Sequence, residues 1–315
     1  MKILILIIAA VAISYTTVFS QGCLPEGIRF QSQFQVDSFQ FYYPGCTVIE
    51  GDVFINGGVY NLYGLSLLTS IGGYLVIDCV PLSDLTGLDA LTSIGGALGI
   101  FNTGLVDMTG LGSLDSIGGN LSFGCLSNSD IICNNLYLNN MHGLESLTHI
   151  GRHLNILGNG SLSNLYALSG LTSVGGIDIR SNSSLTSLAG LDNINPNSII
   201  SLTIAGNASL SSCNVQGICN YLVSPGGEVN IYSNAAGCAN PAEVAGNCGI
   251  SLPCLPYGNY YFYSQSDIDS YQSSFSGCTE LQGNVSIRGG DISNLSGLLD
   301  IHSVNGFCRF VTPIV

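Results

Sequence analysis

Apolar residues recur along this chain in a unit that repeats every 23 residues. Segment 74–96 is followed directly by a close copy at 97–119. Further copies begin at four positions: Asn120, His153, Ile177 and Ser201. A tandem unit this short cannot bury its own apolar residues, so neighbouring units are expected to stack into one continuous core.

Each unit contains two apolar residues separated by one other residue. This period of two predicts a short β-strand with one buried face. The pairs are Val53/Ile55, Leu75/Ile77, Leu98/Ile100, Leu121/Phe123, Leu154/Ile156, Ile177/Ile179, Leu202/Ile204 and Val229/Ile231. We find no helical apolar stripe of about 10 to 12 residues. The pattern therefore predicts an all-β solenoid of about 23-residue coils.

Two other features complete the unit. A leucine follows a small residue, as at Gly87-Leu88, and a Leu-x-Ser-Ile-Gly-Gly sequence closes the unit, as at 91–96. The paired glycines predict a tight bend with positive φ. An asparagine also recurs three residues after the inward isoleucine, at Asn159, Asn182, Asn207 and Asn234. Since an asparagine amide can bond the backbone of neighbouring coils, we predict a structural asparagine ladder.

Composition and charge exclude several functions. The chain has 315 residues, of which 46% are hydrophobic and 8% charged, and its net charge is −14. An acidic chain repels phosphate backbones and anionic lipid, so nucleic-acid binding is excluded. The hydrophobic content is also too high for a disordered chain.

The N-terminus predicts export. Lys2 is followed by an apolar run at 3–13, which is too short to span a bilayer as a helix, and then by a polar stretch ending at Ser20. We interpret residues 1–20 as a signal peptide whose removal leaves no membrane span. A secreted or cell-surface location places the 12 cysteines in an oxidising compartment, where disulfides are expected before metal sites.

The cysteines are predicted to close the two ends of the stack. Cys23–Cys46 suits an N-terminal cap. Four cysteines suit the other end, with Cys213–Cys238 and Cys219–Cys248 preferred among three possible connectivities. The only helix expected is a short one within 211–222, beside this second cap.

The cap sequence then occurs again. Segment 254–278 copies 23–46, with Cys254–Cys278 as the matching disulfide. We divide the chain into the signal peptide, a repeat module at 21–250, and a second, truncated module at 251–315. So short a second module is not expected to bury a core, and it suggests a truncated gene product or a fragment of a longer array.

The remaining cysteines flank or follow an insertion. About ten extra residues in the unit that begins at Asn120 form a loop between Cys125 and Cys133, for which we predict a disulfide. Cys79 shares a column with Cys125 two coils away, roughly 9.6 Å by the strand spacing, which exceeds the reach of a disulfide. Cys79, Cys125 and Cys133 therefore compete for one bond, and one of the three is left free or has a partner that the sequence does not identify. Cys308 has no counterpart.

The leucine units between cysteine caps resemble the receptor L-domain family, which is related to leucine-rich repeats. The resemblance covers residues 23 to about 250 and then restarts. Within the family it is strongest to the secreted multi-module proteins of marine Bacteroidetes, through the spacing of Cys213 to Leu222 and of Gly237 to Cys248. The resemblance implies a right-handed solenoid and extracellular binding of a protein or glycan partner, and it names no ligand.

The outward residues of the strand pairs are the candidate ligand face. They form a row of small polar side chains: Ser122, Asn155, Asp178, Thr203 and Asn230. Such side chains can match the hydroxyl groups of a sugar, although a merely solvated face is the simpler interpretation. The Cys125–Cys133 loop is a second place where binding could occur.

Catalytic chemistry is not predicted. The acids are scattered, no nucleophile motif stands at a strand-helix turn, and His149 and His153 lack converging ligands. We therefore expect a non-catalytic recognition or adhesion module without cofactor or metal. One alternative is an ice- or mineral-binding solenoid, since Thr69, Thr92, Thr148 and Thr172 recur once per coil. The other alternative is a polysaccharide-active β-helix enzyme.

Overall fold

The computed structural model describes residues 22–124, 134–252, 254 and 259–310. Two predictions fall outside these ranges. They are the signal peptide at 1–20 and the Cys125–Cys133 loop with its disulfide.

Fourteen strands form one sheet, here called the main sheet, in which adjacent strands run parallel. The strands are β1 (Gly22–Cys23), β2 (Ile28–Ser32), β3 (Val48–Ile49), β4 (Val53–Gly58), β5 (Ser70–Ile71), β6 (Leu75–Asp78), β7 (Ser93–Ile94), β8 (Leu98–Phe101), β9 (Ser116–Ile117), β10 (Leu121–Phe123), β11 (His149–Leu157), β12 (Ser173–Arg180), β13 (Ser201–Ala205) and β14 (Glu228–Tyr232). Each repeat of the first module contributes strands to this sheet, so hydrogen bonds between parallel strands connect consecutive repeats.

Two small parallel sheets follow in the part of the chain after residue 250, which we call the second unit. They contain β15 (Tyr260–Phe262), β16 (Glu280–Leu281), β17 (Val285–Ile287), β18 (Ser303–Val304) and β19 (Cys308–Phe310). The α-helices are α1 (Gln33–Asp37), α2 (Phe39–Tyr42), α3 (Gln216–Val223), α4 (Pro241–Cys248), α5 (Gln265–Asp269) and α6 (Tyr271–Ser274). Four single turns of 3-10 helix lie at Tyr63–Leu65, Tyr166–Leu168, Pro196–Ser198 and Ser296–Leu298.

The predicted fold class was wrong. The protein is of α/β type, with a large parallel sheet and six α-helices in its described part, and it is not an all-β right-handed solenoid with at most one short helix. The cap helices were missed because α1 and α2 have only five and four residues, too few to show an apolar stripe. Local capping replaces that signal in α1, where Ser32 and Gln35 form a capping box.

The apolar pairs of successive repeats lie beside one another in the main sheet. Leu75, Leu98 and Leu121 occupy matching positions in adjacent strands, Leu121 is paired with Leu154, and all four are fully buried. Burying one such side chain contributes about 2 kcal/mol. Leu121 and Leu154 pair although they are 33 positions apart in the sequence, so the insertion does not interrupt the sheet.

The asparagine ladder is present and fully buried at Asn159, Asn182 and Asn207. The Asn159 N–H donates to Asn182 Oδ1 at 3.0 Å, and the Asn182 N–H donates to Asn207 Oδ1 at 2.9 Å. Asn182 Nδ2 donates in turn to the Ile156 carbonyl at 2.9 Å. Asn135 begins the ladder one repeat earlier, where its N–H donates to Asn159 Oδ1, and the sequence analysis missed it because it follows the insertion.

The paired glycines have a different role from the one predicted. Gly95 and Gly96 do not adopt positive φ. A Cβ on Gly95 would overlap the carbonyl oxygen of Gly72, and a Cβ on Gly118 would overlap that of Gly95. Glycine is required because the backbones of consecutive repeats approach each other too closely for a side chain.

The second unit buries apolar residues, contrary to the expectation for so short a segment. Phe262, Ile268 and Tyr271 are at most 3% exposed, and they belong to the same hydrophobic cluster as the leucines of the first module. Because this unit packs against the end of the main sheet, it shares a core that it could not build alone.

The described residues contain four disulfides, at the N-terminal cap, at the end of the repeat module and in the second module. They are Cys23–Cys46, Cys213–Cys238, Cys219–Cys248 and Cys254–Cys278, which includes the pairing preferred from the sequence. Cys79 and Cys308 are exposed and unpaired. None of the helices in the described ranges is long and apolar enough to cross a membrane.

Candidate binding face of the main sheet

The five predicted ligand-face residues form a continuous row across strands β10 to β14. The pairing places them in the order Ser122, Asn155, Asp178, Thr203 and Asn230. Adjacent strands lie about 4.8 Å apart. The buried residues on either side of each point into the core, and these five point outward. We call them the ligand-face row.

Hydrogen bonds order the first three members of the row. Asn155 Nδ2 donates to Ser122 Oγ at 3.0 Å. Both carboxylate oxygens of Asp178 accept from Arg180, one from Nε at 2.5 Å and one from Nη2 at 2.6 Å. This two-point ion pair holds both side chains in one orientation while leaving them 20% and 30% exposed.

Arg180 is part of the face although the sequence analysis did not include it. It lies two residues after Asp178 on strand β12, and alternate residues of a strand share a face. The same period of two that defined the row was therefore sufficient to find it. Its guanidinium adds charged hydrogen-bond donors to the hydroxyl and amide groups of the row.

Asn230 is less accessible than predicted. It is 8% exposed, and its Oδ1 accepts from Asn259 Nδ2 at 2.8 Å and from the Tyr261 hydroxyl at 3.4 Å. Asn259 Nδ2 also donates to the Glu228 carboxylate at 2.6 Å. The second unit covers this end of the row, so the accessible part ends at Thr203.

Three tyrosines adjoin the covered end of the row, and we call them the tyrosine cluster. The ring centroids of Tyr232 and Tyr261 are 4.2 Å apart, those of Tyr261 and Tyr263 are 5.8 Å apart, and those of Tyr232 and Tyr263 are 6.2 Å apart. Tyr260 and Phe262, which alternate with Tyr261 and Tyr263 along the chain, are buried. This alternation at 260–263 was a signal in the sequence, but only the docking of the second unit brings Tyr232 beside the other two.

Two tyrosines of the cluster hold their protons more tightly than usual. The pKa of Tyr261 is raised to about 12, mainly by burial and then by Tyr232, Tyr263 and the Glu228 carboxylate. The pKa of Tyr263 is also raised, mainly by burial and then by Tyr232. The Tyr261 and Tyr263 hydroxyls therefore remain neutral at physiological pH, and that of Tyr261 donates to Asn230.

We predict that the junction weakens between pH 10 and about 12. The folded chain holds the Tyr261 proton more tightly than the unfolded chain, whose tyrosines titrate near about 10. This contribution to stability is fully present below pH 10 and is lost as the pH rises through about 12. The difference in tyrosinate absorbance between the native protein and Tyr261→Phe should titrate at about 12. In denaturant the same difference should titrate at about 10, and a similar value in the native protein would contradict the prediction.

Strand β13 lies between the ion pair and the tyrosine cluster. Of its residues on this face, Thr203 is partly exposed and Ala205 is only 4% exposed. The Asp178–Arg180 pair lies on the strand before and Tyr232 on the strand after, so the backbones of these two strands are roughly 10 Å apart. The ion pair, Thr203 and Tyr232 therefore form one patch of the face, which we call the central patch.

The threonine row has a role within the fold. The hydroxyl groups of Thr69, Thr92 and Thr172 each donate to a backbone carbonyl of the preceding repeat, at 3.0 to 3.1 Å. The Thr148 hydroxyl donates to the Asp115 carboxylate at 2.7 Å. These protons are already used between repeats, which weakens the case for an ice-ordering surface.

Other titratable groups do not gather at one place. His142 Nδ1 contacts the Glu145 carboxylate at 2.7 Å on an exposed corner. Within the ranges that the structure describes, no three His, Cys, Asp or Glu side chains converge as metal ligands. His149 and Arg152 are exposed on strand β11.

Comparison with known proteins finds no matching family, curated protein or solved structure. The resemblance to receptor L-domains therefore stays a prediction based on the repeated residues and their cysteine caps.

Proposed function

We propose that this protein is a non-catalytic extracellular recognition module that binds a glycan on the central patch, between the Asp178–Arg180 pair and the tyrosine cluster. The observation that carries the proposal is the placement, side by side on one face, of an ordered ion pair, small hydroxyl and amide side chains, and aromatic rings. The four disulfides support secretion or a cell-surface location, since such bonds persist in oxidising compartments.

The chemistry of the central patch favours a glycan among extracellular partners. Asp178 and Arg180 together present acceptors and donors in fixed positions, which is what neighbouring sugar hydroxyls require. Tyr232 provides an apolar ring surface with a polar edge, against which the C–H face of a sugar can pack.

Replacing Asn155, Asp178 and Thr203 together by alanine should weaken glycan binding at least about tenfold, a loss of about 1.4 kcal/mol. All three side chains are partly exposed and none fills the core, so the free energy of unfolding should change by less than about 1 kcal/mol. The measurement is a glycan array followed by titration of the bound sugar, at low and high salt.

A matched control carries the same three kinds of substitution away from the face, as Asn164→Ala, Asp107→Ala and Thr109→Ala. Their side chains lie in the loops between strands, so this control should retain full binding. Two results would contradict the proposal: a folded native protein that binds no glycan, or equal binding by both triple variants. Binding of a protein partner alone would assign the face to protein recognition.

A further inference from the structure

The N-terminal cap carries an aromatic groove outside the ligand face. It has a volume of about 350 Å³ and lies along helices α1 and α2, and we call it the cap groove. Its lining residues include Ile28, Phe34, Phe39, Tyr42 and Tyr43. Phe34 and Tyr42 are 67% and 59% exposed, and no charged side chain lines the groove.

The second unit has an equivalent groove, because its cap is built in the same way. Ser32 and Ser264 both begin a five-residue helix with a capping box. Gln33 and Gln265, the first residues of these helices, each accept backbone N–H bonds from the next repeat. Phe34 and Tyr42 of the first cap therefore correspond in position to Ser266 and Ser274 of the second.

In the second cap this groove is filled by another part of the same chain. The start of helix α4, at Asn240, Pro241 and Ala242, lies against Tyr271 and Phe275 and leaves a cavity of only about 30 Å³. Pro241 is buried there as the first residue of the helix, and Asn240 Oδ1 caps the helix by accepting from the Glu243 N–H at 2.8 Å.

The segment that fills the second cap is also chemically compatible with the cap groove. The segment Asn240–Ala242 is uncharged, and the cap groove is uncharged as well, so no ion has to lose its water on docking. Proline rings pack well on aromatic side chains and lose little conformational entropy on binding. Phe34 and Tyr42, where the second cap has serines, enlarge the aromatic surface available to such a ring.

We propose that the cap groove is a docking site for a proline-headed helix start, of the Asn-Pro-Ala type found at 240–242, presented by another repeat module. The partner would thus sit on the first cap as α4 sits on the second. Because the Asn240–Ala242 segment of this chain already lies in its own second cap, the partner is a module of a different protein whose helix start is free.

The test uses the full chain and a synthetic peptide with the sequence of residues 237–249, carrying Cys238→Ser and Cys248→Ser. Binding is followed by ¹H–¹⁵N NMR up to about 5 mM peptide, since one short helix start is a weak ligand. We expect saturable binding that falls at least about fivefold in the Phe34→Asp, Tyr42→Asp variant, because two carboxylates then stand in an otherwise uncharged groove. A peptide carrying Pro241→Ala should bind as weakly as the native peptide binds this variant.

Phe41→Asp is the matched control. Phe41 lies on the same helix as Tyr42, is 81% exposed and does not line the groove. This control should bind the peptide as the native chain does, and thermal unfolding should show that all variants are folded. The proposal is overturned if the folded native chain does not bind the peptide, or if the double variant binds equally well, which would place binding outside the cap groove.

Discussion

Asn182→Ala is expected to lower the free energy of unfolding by about 2–5 kcal/mol, because it leaves two buried backbone groups without their partners. The Asn159 N–H loses its acceptor at 3.0 Å, and the Ile156 carbonyl loses its donor at 2.9 Å. Solvent water does not reach these two backbone groups in place of the lost amide, since Asn182 is fully buried. Urea unfolding of the disulfide-bonded protein measures the change.

Asn193→Ala is the control for this substitution. Asn193 is exposed and makes one hydrogen bond, from Nδ2 to the Ser169 carbonyl at 2.8 Å. Its loss should cost less than about 0.5 kcal/mol. Equal stability of the two variants would show that the asparagine ladder does not hold the repeats together.

Gly110→Ala is expected to destabilise the protein by about 3–5 kcal/mol through two effects that add. Gly110 has a φ of 108°, where an L-residue is strained. A Cβ at this position would also overlap the Leu85 carbonyl group of the preceding repeat. Because the strands on both sides are tied by parallel pairing, the backbone has little freedom to relieve the overlap. Thermal and urea unfolding would both report the loss.

Gly112→Ala, two residues later, separates this effect from any general cost of replacing glycine. No heavy atom lies within 4 Å of a Cβ built on Gly112, and its φ is not in the left-handed region. We expect no loss, and a gain of up to about 1 kcal/mol from the smaller entropy of the unfolded chain. A similar loss at both glycines would mean that the spacing of the repeats does not impose glycine at position 110.

The repeat could be predicted from the sequence because its signals are local and periodic. Leu98 and Ile100 stand at the spacing of one strand face, and the same spacing returns 23 residues later at Leu121 and Phe123, which are their partners in the sheet. The ladder asparagines could be located by the same rule, with Asn135 lost only because the insertion displaced it. The cap helices could not be predicted, since four or five residues show no helical period.

The candidate site could be predicted only in part. Outward polar residues were identified correctly as neighbours from Ser122 to Asn230, because pairing between repeats follows directly from the period. The contact of Asn230 with Asn259 could not be inferred, as the two residues belong to different units with no shared pattern. The meeting of Tyr232 with Tyr261 escaped prediction for the same reason.

The sequence by itself determined which side chains are buried and which repeats are neighbours, because one period controls both. Only the tertiary structure decided the fold class, the accessible extent of the ligand-face row and the contents of the two cap grooves. These depend on how the second unit packs against β14 and α4, and packing between units is set by surface shape rather than by periodicity. The two caps illustrate the difference, because their sequences are similar but their grooves are not. The groove of the second cap is filled by Pro241 and its neighbours, whereas that of the first cap, beside Phe34, has a volume of about 350 Å³.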